Sequence, residues 1–442
     1  MSALTYTEIV RELFPRLTGG IRWGLDRTLR MLASVGDPHL RYPSIHVGGT
    51  NGKGSVSATL ASVLRASGLR TGLYTSPHLC TFRERIEISG RPVTETAMVH
   101  AAERLWPSIR RESPSFFEAT TAIAFLALAD AEIDIGVIEV GLGGRLDATN
   151  VITPLMSVLT NVAFDHVHLL GPTLASVARE KAGIIKPGVP VITAETGEGP
   201  LSVFREVARD RHSPLRVVTA DVLADVETSL AGNRFRVRTD RWGELSLRSP
   251  LPGLHQAGNT ALAVLALEDL PAELLPDAAA IIDGVASVRL AGRLEVERAH
   301  GRTWLFDVAH NVAGAQALGR ALRDLAPPRP IVALVGVLGD KDWRGMLEPI
   351  YDGADAVVLT LPPTAPLERS WDPDTVLAGA AAPHAVAVAD FGAAMSRAWS
   401  LAAPDGTVVV TGSFHTVGDA LIALGKAPYG VDADLPVPLF AA

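Results

Sequence analysis

The stretch that decides the fold is Gly48-Gly49-Thr50-Asn51-Gly52-Lys53-Gly54-Ser55. It joins a short apolar run at 44–48 to a run of helix-forming residues at 56–66. Glycines allow the backbone to turn tightly and to point its amides at phosphate oxygens, and the start of a helix adds the positive end of a dipole. Lys53 supplies a point charge for the terminal phosphates, so the stretch predicts a nucleotide site at a strand-to-helix junction.

The stretch departs from the strict P-loop string in two places. Val47 stands where that string has its first glycine, and Gly54 separates Lys53 from the hydroxyl group of Ser55. A glycine-rich turn with a surface lysine is the alternative interpretation. The agreement between the motif and its strand-helix context favours nucleotide binding, with ATP ahead of GTP.

Outward from this stretch, short β-branched runs alternate with longer Ala/Leu/Arg segments, which is typical of βαβ units around a largely parallel sheet. Strands are predicted at 44–48, 70–75, 135–140, 155–160 and 189–193, and again at 304–306, 331–335, 356–360 and 407–411. Residues 216–248 alternate differently and predict an antiparallel hairpin. The fold class is therefore α/β, with a predicted domain boundary at 288–292.

Composition excludes several classes of protein. The chain has 442 residues, 48% of them hydrophobic and 20% charged, as in a folded protein of two or three domains. With 40 basic against 48 acidic side chains the net charge is −8, which argues against nonspecific nucleic-acid binding. Cys80 is the only cysteine, Glu8 and Arg11 interrupt any apolar leader, and the apolar runs are shorter than the roughly 20 residues of a membrane span. We expect a cytoplasmic protein without membrane or nucleic-acid partners.

Polar side chains follow the predicted strands of the first domain, where the phosphates of a nucleotide would lie. Glu139 ends one apolar run and could reach a magnesium ion, Asp165 and His166 follow the strand at 155–160, and Lys181 lies on a predicted helix. Each has an ordinary alternative: an acid that caps a turn, a hydrogen-bonded histidine or a solvated lysine. Taken singly, these residues do not decide between the interpretations.

A series of motifs extends over nearly the whole chain. In the first half they are GGTNGKGS at 48–55, TSPHL at 75–79, FRERI at 82–86, EVGLGGRLDATN at 139–150, NVAFDH at 161–166 and EKAGIIK at 180–186. In the second half they are AGR at 291–293, FDVAHN at 306–311, GVLGDKDW at 336–343 and TGSFHTVGD at 411–419. Together they resemble the folylpolyglutamate synthase and dihydrofolate synthase family, a branch of the Mur ligases.

The resemblance implies a P-loop Mur-ligase-type central domain with a parallel sheet and a smaller Rossmann-like α/β C-terminal domain. Residues 1–290 would hold the ATP site and the pterin or folate site, and residues 291–442 would complete the ATP and glutamate sites. The implied enzyme is a monomeric ligase that uses ATP and Mg²⁺ to join L-glutamate to dihydropteroate, to folates or to both through an acyl phosphate. The pterin residues that are present favour the bifunctional type.

The resemblance also implies roles for individual residues. The ATP-binding set is Gly49, Thr50, Asn51, Gly52, Lys53, Gly54, Ser55, Asn259, Arg293 and Asp307. The magnesium ligands are Ser76, Glu139 and His166, and the catalytic set is Lys53, Lys181 and His310. Lys181 matches the family lysine that carbon dioxide carbamylates, with a simple phosphate contact as the alternative. The substrate-binding set is Phe117, Thr120, Leu146, Asp147, Ala148 and Ser413.

Some of these assignments have structural alternatives. Phe117 lies at helical spacing from Ile123 and could belong to the core, and Ser413 could be a helix N-cap. The family usually has proline after the asparagine of FDVAHN, where this chain has Val312. That substitution concerns the shape of the loop and leaves its polar side chains intact.

Two other functions are compatible with parts of the sequence. A ligase for a muropeptide or another amino-acid polymer would share the P-loop and the NVAFDH segment. It would carry a separate N-terminal UDP-binding domain, and only about 40 residues precede the P-loop, fewer than a domain needs. A nonenzymatic nucleotide-binding regulator would bind ATP without glutamate-dependent release of ADP, and it leaves the motifs of the second domain unexplained.

Overall fold

The computed structural model describes residues 4–13, 23–378 and 384–432. Within these residues, the first domain is built on an eight-stranded sheet. Its strands are β1 (Ser44–Gly48), β2 (Thr71–Tyr74), β3 (Ile86–Ile88), β4 (Arg91–Pro92), β5 (Ile135–Glu139), β6 (Met156–Leu159), β7 (Val191–Thr193) and β8 (Leu215–Val217).

The order of these strands explains where the polar motifs meet. It is β4-β3-β2-β5-β1-β6-β7-β8, with β3 and β4 antiparallel at one edge and the other six strands parallel. Because parallel strands end at one edge of a sheet, the loops after β1, β2, β5 and β6 lie side by side. The motifs that follow those four strands are thereby brought to one place.

Helices cover both faces of this sheet. They are α1 (Tyr6–Leu13), α2 (Asp26–Ala33), α3 (Lys53–Ala66), α4 (Glu95–Glu112), α5 (Phe116–Asp130), α6 (Val167–Leu170), α7 (Leu174–Ala182), α8 (Glu198–Asp210), α9 (Leu254–Leu267) and α10 (Ala278–Ser287). Helix α3 is buried from Gly54 to Leu64 and packs against α9 and α10. Its Ser and Ala residues are small enough for that close packing, which fixes the start of α3 beneath the P-loop.

The segment predicted as a hairpin at 216–248 forms three strands in the structure. They are β9 (Leu223–Ser229), β10 (Gly232–Arg238) and β11 (Glu244–Ser249), paired antiparallel in the order β11-β10-β9. Alternate residues of β11 are buried, and Leu245 and Leu247 pack in one cluster with α9. Leu230, in the β9–β10 turn, packs against the core of the second domain.

The second domain contains a six-stranded sheet. Its strands are β12 (Arg293–Ala299), β13 (Arg302–Asp307), β14 (Ile331–Val335), β15 (Ala356–Leu359), β16 (Ala385–Ala387) and β17 (Thr407–Thr411), in the order β12-β13-β17-β14-β15-β16. Only β12 is antiparallel. Its helices are α11 (Val312–Leu325), α12 (Trp343–Gly353), α13 (Pro373–Ala378), α14 (Phe391–Leu401) and α15 (Phe414–Ala423). Both domains are α/β, which confirms the predicted fold class.

The two domains are joined by residues 288–292, between the end of α10 and the start of β12. The carboxyl edges of the two parallel sheets face each other across a cleft, since residues that follow β1, β5, β13 and β17 line one cavity. In the described ranges, every helix is too short or too polar to cross a bilayer.

Candidate active site

The P-loop is held against the end of β6. Thr160 Oγ1 and Asn161 Nδ2 donate to the carbonyl of Asn51 at 2.7 and 3.1 Å, and Asn161 Oδ1 accepts from the Asn51 amide at 3.1 Å. Gly52 precedes α3 with a φ of 84°, and a Cβ there would lie 2.6 Å from Asn259 Oδ1. Glycine alone combines this backbone conformation with so close an approach of α9.

Two lysines converge on one carbonyl oxygen of the loop. Lys53 Nζ donates to the carbonyls of Gly49 and Thr50 at 3.2 and 3.1 Å, and Lys181 Nζ, on α7, donates to Gly49 at 2.8 Å. Lys181 is only 3% exposed, and burial, with the charge of Lys53, lowers the pKa of Lys181 to about 7. Near neutral pH an appreciable fraction of Lys181 is therefore a neutral amine, the nucleophilic form.

Ser55, Ser76 and Glu139 provide the hard oxygen atoms of the site. Glu139 is buried at the end of β5, and its Oε2 accepts from the amide of Ser76 at 3.2 Å. Burial raises the pKa of Glu139, with the charge of Lys53 acting in the opposite direction. Ser55 Oγ is buried and has no hydrogen-bond partner among the described residues. Burying an unpaired hydroxyl costs free energy, so a ligand for Ser55 is expected.

These oxygen atoms fit a magnesium ion. Mg²⁺ usually takes one or two carboxylates from the protein and completes its octahedron with water and substrate phosphates. Glu139 and the unpaired hydroxyl of Ser55 match that requirement. In the part of the chain that is described, no three His, Cys, Asp or Glu side chains form a cluster that could hold a metal alone. The donor set is therefore suited to an ion that arrives with a nucleotide.

His166 begins α6 in the left-handed conformation, with a φ of 49°. Its Nε2 lies 3.4 Å from Lys341 Nζ, and burial, with the charge of Lys341, lowers the pKa of His166 to about 4. The ring is therefore neutral near pH 7 and has the lone pair that a metal ligand needs. That lone pair faces the ammonium group of Lys341, so the role of His166 as a magnesium ligand stays a prediction.

A cavity of about 500 Å³ between the domains connects these groups. Besides the P-loop, it is lined by Ser76, Glu139, His166, Lys181, Asn259, Arg293, Asp307, His310 and Ser413. The residues predicted to bind ATP, magnesium and glutamate are thus brought together. The predicted pterin residues Phe117, Thr120, Leu146, Asp147 and Ala148 do not line this cavity.

Arg293 and Asp307 face each other across the pairing of β12 with β13. The Arg293 guanidinium lies over the Phe414 ring, 5.1 Å from its centre. Asp307 accepts from the amides of Leu294 and Ala309, both at 3.0 Å. Burial raises the pKa of Asp307 to about 6, against the lowering effect of Arg293, so the group is mostly a carboxylate near pH 7.

Asp165 is the centre of a contact that the sequence analysis does not predict. Its carboxylate accepts from Lys341 Nζ at 2.6 Å and from Asn311 Nδ2 at 3.1 Å, and it lies 3.5 Å from His310 Nε2. All three partners belong to the second domain. Asn311 and Asn51 also exchange amide hydrogen bonds at 2.9 and 3.3 Å, which ties the P-loop to the second domain. We call Asp165, His310, Asn311 and Lys341 the Asp165 cluster.

The charge of Asp165 is strongly stabilised. Although burial disfavours the charged form, His310 and Lys341 hold the pKa of the Asp165 carboxyl well below its usual range. Lys341 lies within the motif GVLGDKDW, and that membership was the only sign in the sequence that Lys341 belongs to the site. Its partner is 176 residues away in the chain, and only the packed domains show the pair.

The loop at 141–151, predicted as part of a pterin site, is hydrogen-bonded to itself. Asp147 Oδ2 accepts from the amide of Leu142 at 2.8 Å, and Oδ1 accepts from the amide and hydroxyl of Thr149 at 3.0 and 2.5 Å. The amide of Gly141 also bonds to this carboxylate. Four donors fill the ordinary acceptor capacity of a carboxylate, so Asp147 here stabilises its own loop.

The neighbouring predicted substrate residues are also packed within the first domain. Phe117 lies 6.2 Å from the Tyr74 ring, and Thr120 Oγ1 donates to the Phe116 carbonyl at 2.8 Å. Ala148 is buried, and Leu146 is half-buried beside it. Their role in substrate binding stays a prediction that would require the loop to rearrange.

Ser413 and Asn311 begin helices of the second domain. Ser413 Oγ accepts from the amide of Thr416 at 3.1 Å, so Ser413 is the N-cap of α15 and also lines the cavity. Asn311 caps α11 by accepting from the Gly314 amide at 2.8 Å, and Val312 is the first residue of that helix. Proline and valine are both accommodated at this position, so the departure from the family pattern leaves the helix start intact.

A phosphate-binding loop and a second α/β domain that closes over it define a two-domain ATP-dependent ligase. Residues 47–267 match the family model of the Mur ligase middle domain, and residues 292–414 match that of the Mur ligase, glutamate ligase domain. The chain is 35% identical to the dihydrofolate synthase/folylpolyglutamate synthase of Bacillus subtilis, over 77% of this chain and 82% of that protein. It is 36% identical to the folylpolyglutamate synthase of Lacticaseibacillus casei, over 93% of this chain and 97% of that protein.

Solved structures agree with these relatives. The folylpolyglutamate synthase of Mycobacterium tuberculosis complexed with ADP matches with a TM-score of 0.87 and 32% identity. The match covers 96% of this chain and 100% of that one. FolC of Escherichia coli in complex with DHPP and ADP matches with a TM-score of 0.83 and 31% identity, over 95% of this chain and 97% of that one. The chain therefore belongs to the folylpolyglutamate synthase/dihydrofolate synthase family, which confirms the resemblance.

Proposed function

We propose that this chain is an ATP-dependent ligase that forms an amide between the amino group of L-glutamate and the carboxylate of dihydropteroate or of a folate. One observation carries the proposal: the P-loop, with Lys53 and the unpaired Ser55 hydroxyl, opens into the same cavity as Ser413 and His310 of the glutamate ligase domain. The relatives that are named dihydrofolate synthase/folylpolyglutamate synthase support both substrate classes.

The reaction requires activation of a poor acyl donor. An oxygen of the substrate carboxylate attacks the γ-phosphorus of ATP, and the bond to the β,γ-bridging oxygen breaks, which releases ADP and leaves an acyl phosphate. The glutamate amine then attacks the acyl carbon, the C–O bond breaks, phosphate leaves, and the nitrogen loses a proton. Phosphoryl transfer of this kind depends mainly on positioning and charge neutralisation. Lys53 and the P-loop amides supply both at the phosphates.

We assign the proton acceptor for the amine to His310. Its Nδ1 lies 2.9 Å from the Val308 carbonyl, which can only accept, so Nδ1 carries a proton and Nε2 is the nitrogen that can exchange one. Nε2 is also the nitrogen that faces Asp165, at 3.5 Å. A carboxylate in that position accepts a hydrogen bond from Nε2 once that nitrogen is protonated, so it stabilises the imidazolium that forms when Nε2 accepts a proton.

Ser55, Ser76, Glu139 and His166 are the residues that we assign to Mg²⁺, which, when bound, neutralises phosphate charge. Lys181 is the residue that we assign to carbamylation. Its low pKa supports this assignment, since the neutral amine is the form that adds to carbon dioxide. Asn259, Arg293 and Asp307 are assigned to the nucleotide at the junction of the domains, with the glutamate carboxylate near Ser413.

The proposal is tested by measuring ADP release with ATP, Mg²⁺ and L-glutamate, using dihydropteroate, tetrahydrofolate or a UDP-muramoyl peptide as acceptor. Release with both pteridines would establish the bifunctional ligase. Release with tetrahydrofolate alone would restrict the activity to polyglutamylation. Release with the muramoyl peptide alone would assign a different Mur-type ligase, and ATP binding without release would favour a regulator.

A further inference from the structure

The loop that carries Ser76 is anchored in the second domain, although it belongs to the first. Leu79 and Cys80, which we call the plug, insert into a core cluster of the second domain that includes Trp304, Val308 and Val417. Cys80 is fully buried, and its Sγ lies 3.8 Å from the Gly418 carbonyl oxygen. A Cβ at position 418 would collide with the Leu79 carbonyl, so glycine is needed there for the plug to seat.

A second contact reaches the same loop from the C-terminal side of the second domain. Residues 426–432, which we call the strap, follow α15 and return to the first domain. The strap is fixed at its start by Lys426 Nζ, 2.8 Å from Glu297 Oε2 on β12. At its other end, Asp432 Oδ1 accepts from Tyr6 Oη and Thr81 Oγ1 at 2.8 and 2.7 Å.

Asp432 also bonds to the backbone of the loop. Its Oδ2 accepts from the Phe82 amide at 2.9 Å, so one carboxylate holds helix α1 and two successive loop residues. Glu84 continues this connection, because its carboxylate accepts from the amides of Leu79, Cys80 and Thr81 at 2.7, 3.0 and 3.0 Å. Hydrogen bonds to a carboxylate are stronger than neutral ones. Asp432 and Glu84 together accept six, and five of the six donors belong to residues 79–82 of the loop.

The far end of the same loop reaches the active site. Ser76, three residues before Leu79, donates its amide to Glu139 Oε2 at 3.2 Å and lines the interdomain cavity. A displacement of the plug would therefore move Ser76 relative to Glu139 and the P-loop. A misplacement of about 1 Å in a group that positions the reactants can cost about a hundredfold in rate.

We propose that the strap positions the Ser76 loop for the ligase reaction, with Asp432 as the positioning residue that keeps the plug seated in the second domain. The catalytic part of this inference rests on the proposed function, whereas the seating of the plug does not. Asp432 touches no residue of the P-loop in the described contacts, so it acts on the loop and leaves the nucleotide cradle in place.

The only cysteine of the chain is a built-in reporter of the plug. The full-length protein and its Asp432→Ala variant are treated with 5,5′-dithiobis(2-nitrobenzoate) under native conditions, and the rate of Cys80 modification is compared. We expect at least about a tenfold faster reaction in the variant, because hydrogen bonds to a charged group are lost. Asp324→Ala removes an exposed acid on α11 of the second domain and serves as the matched control, with the wild-type rate expected.

Steady-state kinetics then connect the plug to the reaction. For Asp432→Ala we expect kcat to fall by about tenfold with the ATP KM unchanged, since the strap is remote from the P-loop. Thr81→Ser keeps the hydroxyl that bonds to Asp432 and should retain wild-type kcat, whereas Thr81→Val should behave like Asp432→Ala. If Asp432→Ala unfolds in a melting experiment, Tyr6→Phe, which removes one of the three bonds to Asp432 and a longer bond to Thr81, gives the same comparison at smaller amplitude.

Two outcomes would overturn the inference. Cys80 reactivity within twofold of wild type in folded Asp432→Ala and Thr81→Val would show that the strap does not seat the plug. Faster Cys80 modification with unchanged kcat would show that the plug does not position the site. If the wild-type chain lacked ligase activity altogether, the proposed function would fail, while the reactivity comparison would still decide the role of the strap.

Discussion

The P-loop and the loop at 141–151 are both glycine-rich turns after central strands, and both were predicted to bind a substrate, yet the Ser55 hydroxyl of the first and the Asp147 carboxylate of the second are in opposite states. In the P-loop, Ser55 Oγ has no partner among the described residues, and Lys53 Nζ uses two of its three donors on carbonyls of its own loop, which leaves one for a phosphate. In the second loop, the Asp147 carboxylate is filled by donors of the same loop. Groups left unpaired point to a ligand, whereas groups that are satisfied internally point to a structural role.

The largest effect that this comparison predicts is on catalysis by Lys53. Lys53→Ala should lower kcat for ADP release by about 10²–10³-fold, because it removes the cation that opposes charge on the terminal phosphates. The free energy of unfolding of the ligand-free protein should change little, since only bonds to the loop's own carbonyls are lost. Activity assays and chemical denaturation measure the two quantities. A stability loss as large as the catalytic loss would place Lys53 with the structural residues.

Asp147 tests the opposite side of the comparison. Asp147→Asn should lower the free energy of unfolding by about 1–3 kcal/mol, because an amide nitrogen replaces an acceptor facing buried donors. Thermal and urea unfolding provide the measurement.

Kinetics distinguish the two roles of Asp147. A structural role predicts similar changes in KM for dihydropteroate and tetrahydrofolate. A selective rise in the KM for dihydropteroate, with stability preserved, would instead make Asp147 a pterin ligand.

Lys181 gives a prediction about pH. Its pKa of about 7 in the folded protein lies below the ordinary value of 10.5, so between these limits the unfolded chain binds more protons than the folded chain. Stability from this group therefore rises with pH above about 7, by at most about 1.4 kcal/mol per pH unit. Denaturation at pH 7, 8 and 9 in buffer free of carbon dioxide should show this gain relative to Lys181→Met. Parallel pH dependences in both proteins would contradict the low pKa.

The smallest expected change in stability belongs to Ser55. Ser55→Ala should alter the free energy of unfolding by no more than about 0.5 kcal/mol, because the hydroxyl that it removes is buried and has no partner in the described part of the chain. The Mg²⁺ concentration needed for half-maximal activity should rise at the same time. Thr59→Ala, about one turn further along the same buried face of α3, removes a hydroxyl bonded to the Ser55 carbonyl at 2.8 Å and should cost more stability. Equal losses of stability in Ser55→Ala and Thr59→Ala would show that the two hydroxyls do not differ in their structural role.

Residues at strand ends were the predictable part of the site. The P-loop, Glu139 and Ser413 follow apolar runs, and the edge of a parallel sheet brings such residues together whatever the rest of the chain does. Fold class followed from the same alternation. The extra strand β9 was missed because its sequence, LADVETS, contains few β-branched or aromatic residues, and pairing with β10 overrides that weak preference.

Contacts between distant segments were the unpredictable part. Asp165 and Lys341 each lie in a recognisable motif, but their pairing depends on how the two domains pack. The role of Asp147 was similarly hidden, since an acid can bind a ligand or cap a turn, and its sequence neighbours are compatible with both. In each case the residue type was visible in the sequence and its partner was not.

The reciprocal amide pair between Asn51 and Asn311 has a consequence for how domain closure responds to the solvent. Dissolved salt screens attraction between ions, but a neutral amide pair offers no net charge to screen. Neither amide titrates, so protons in the medium do not compete for the contact. At this point the second domain meets the P-loop through an amide pair whose strength is set by hydrogen-bond geometry, whereas the neighbouring contact of Lys341 with Asp165 is the one that depends on charge.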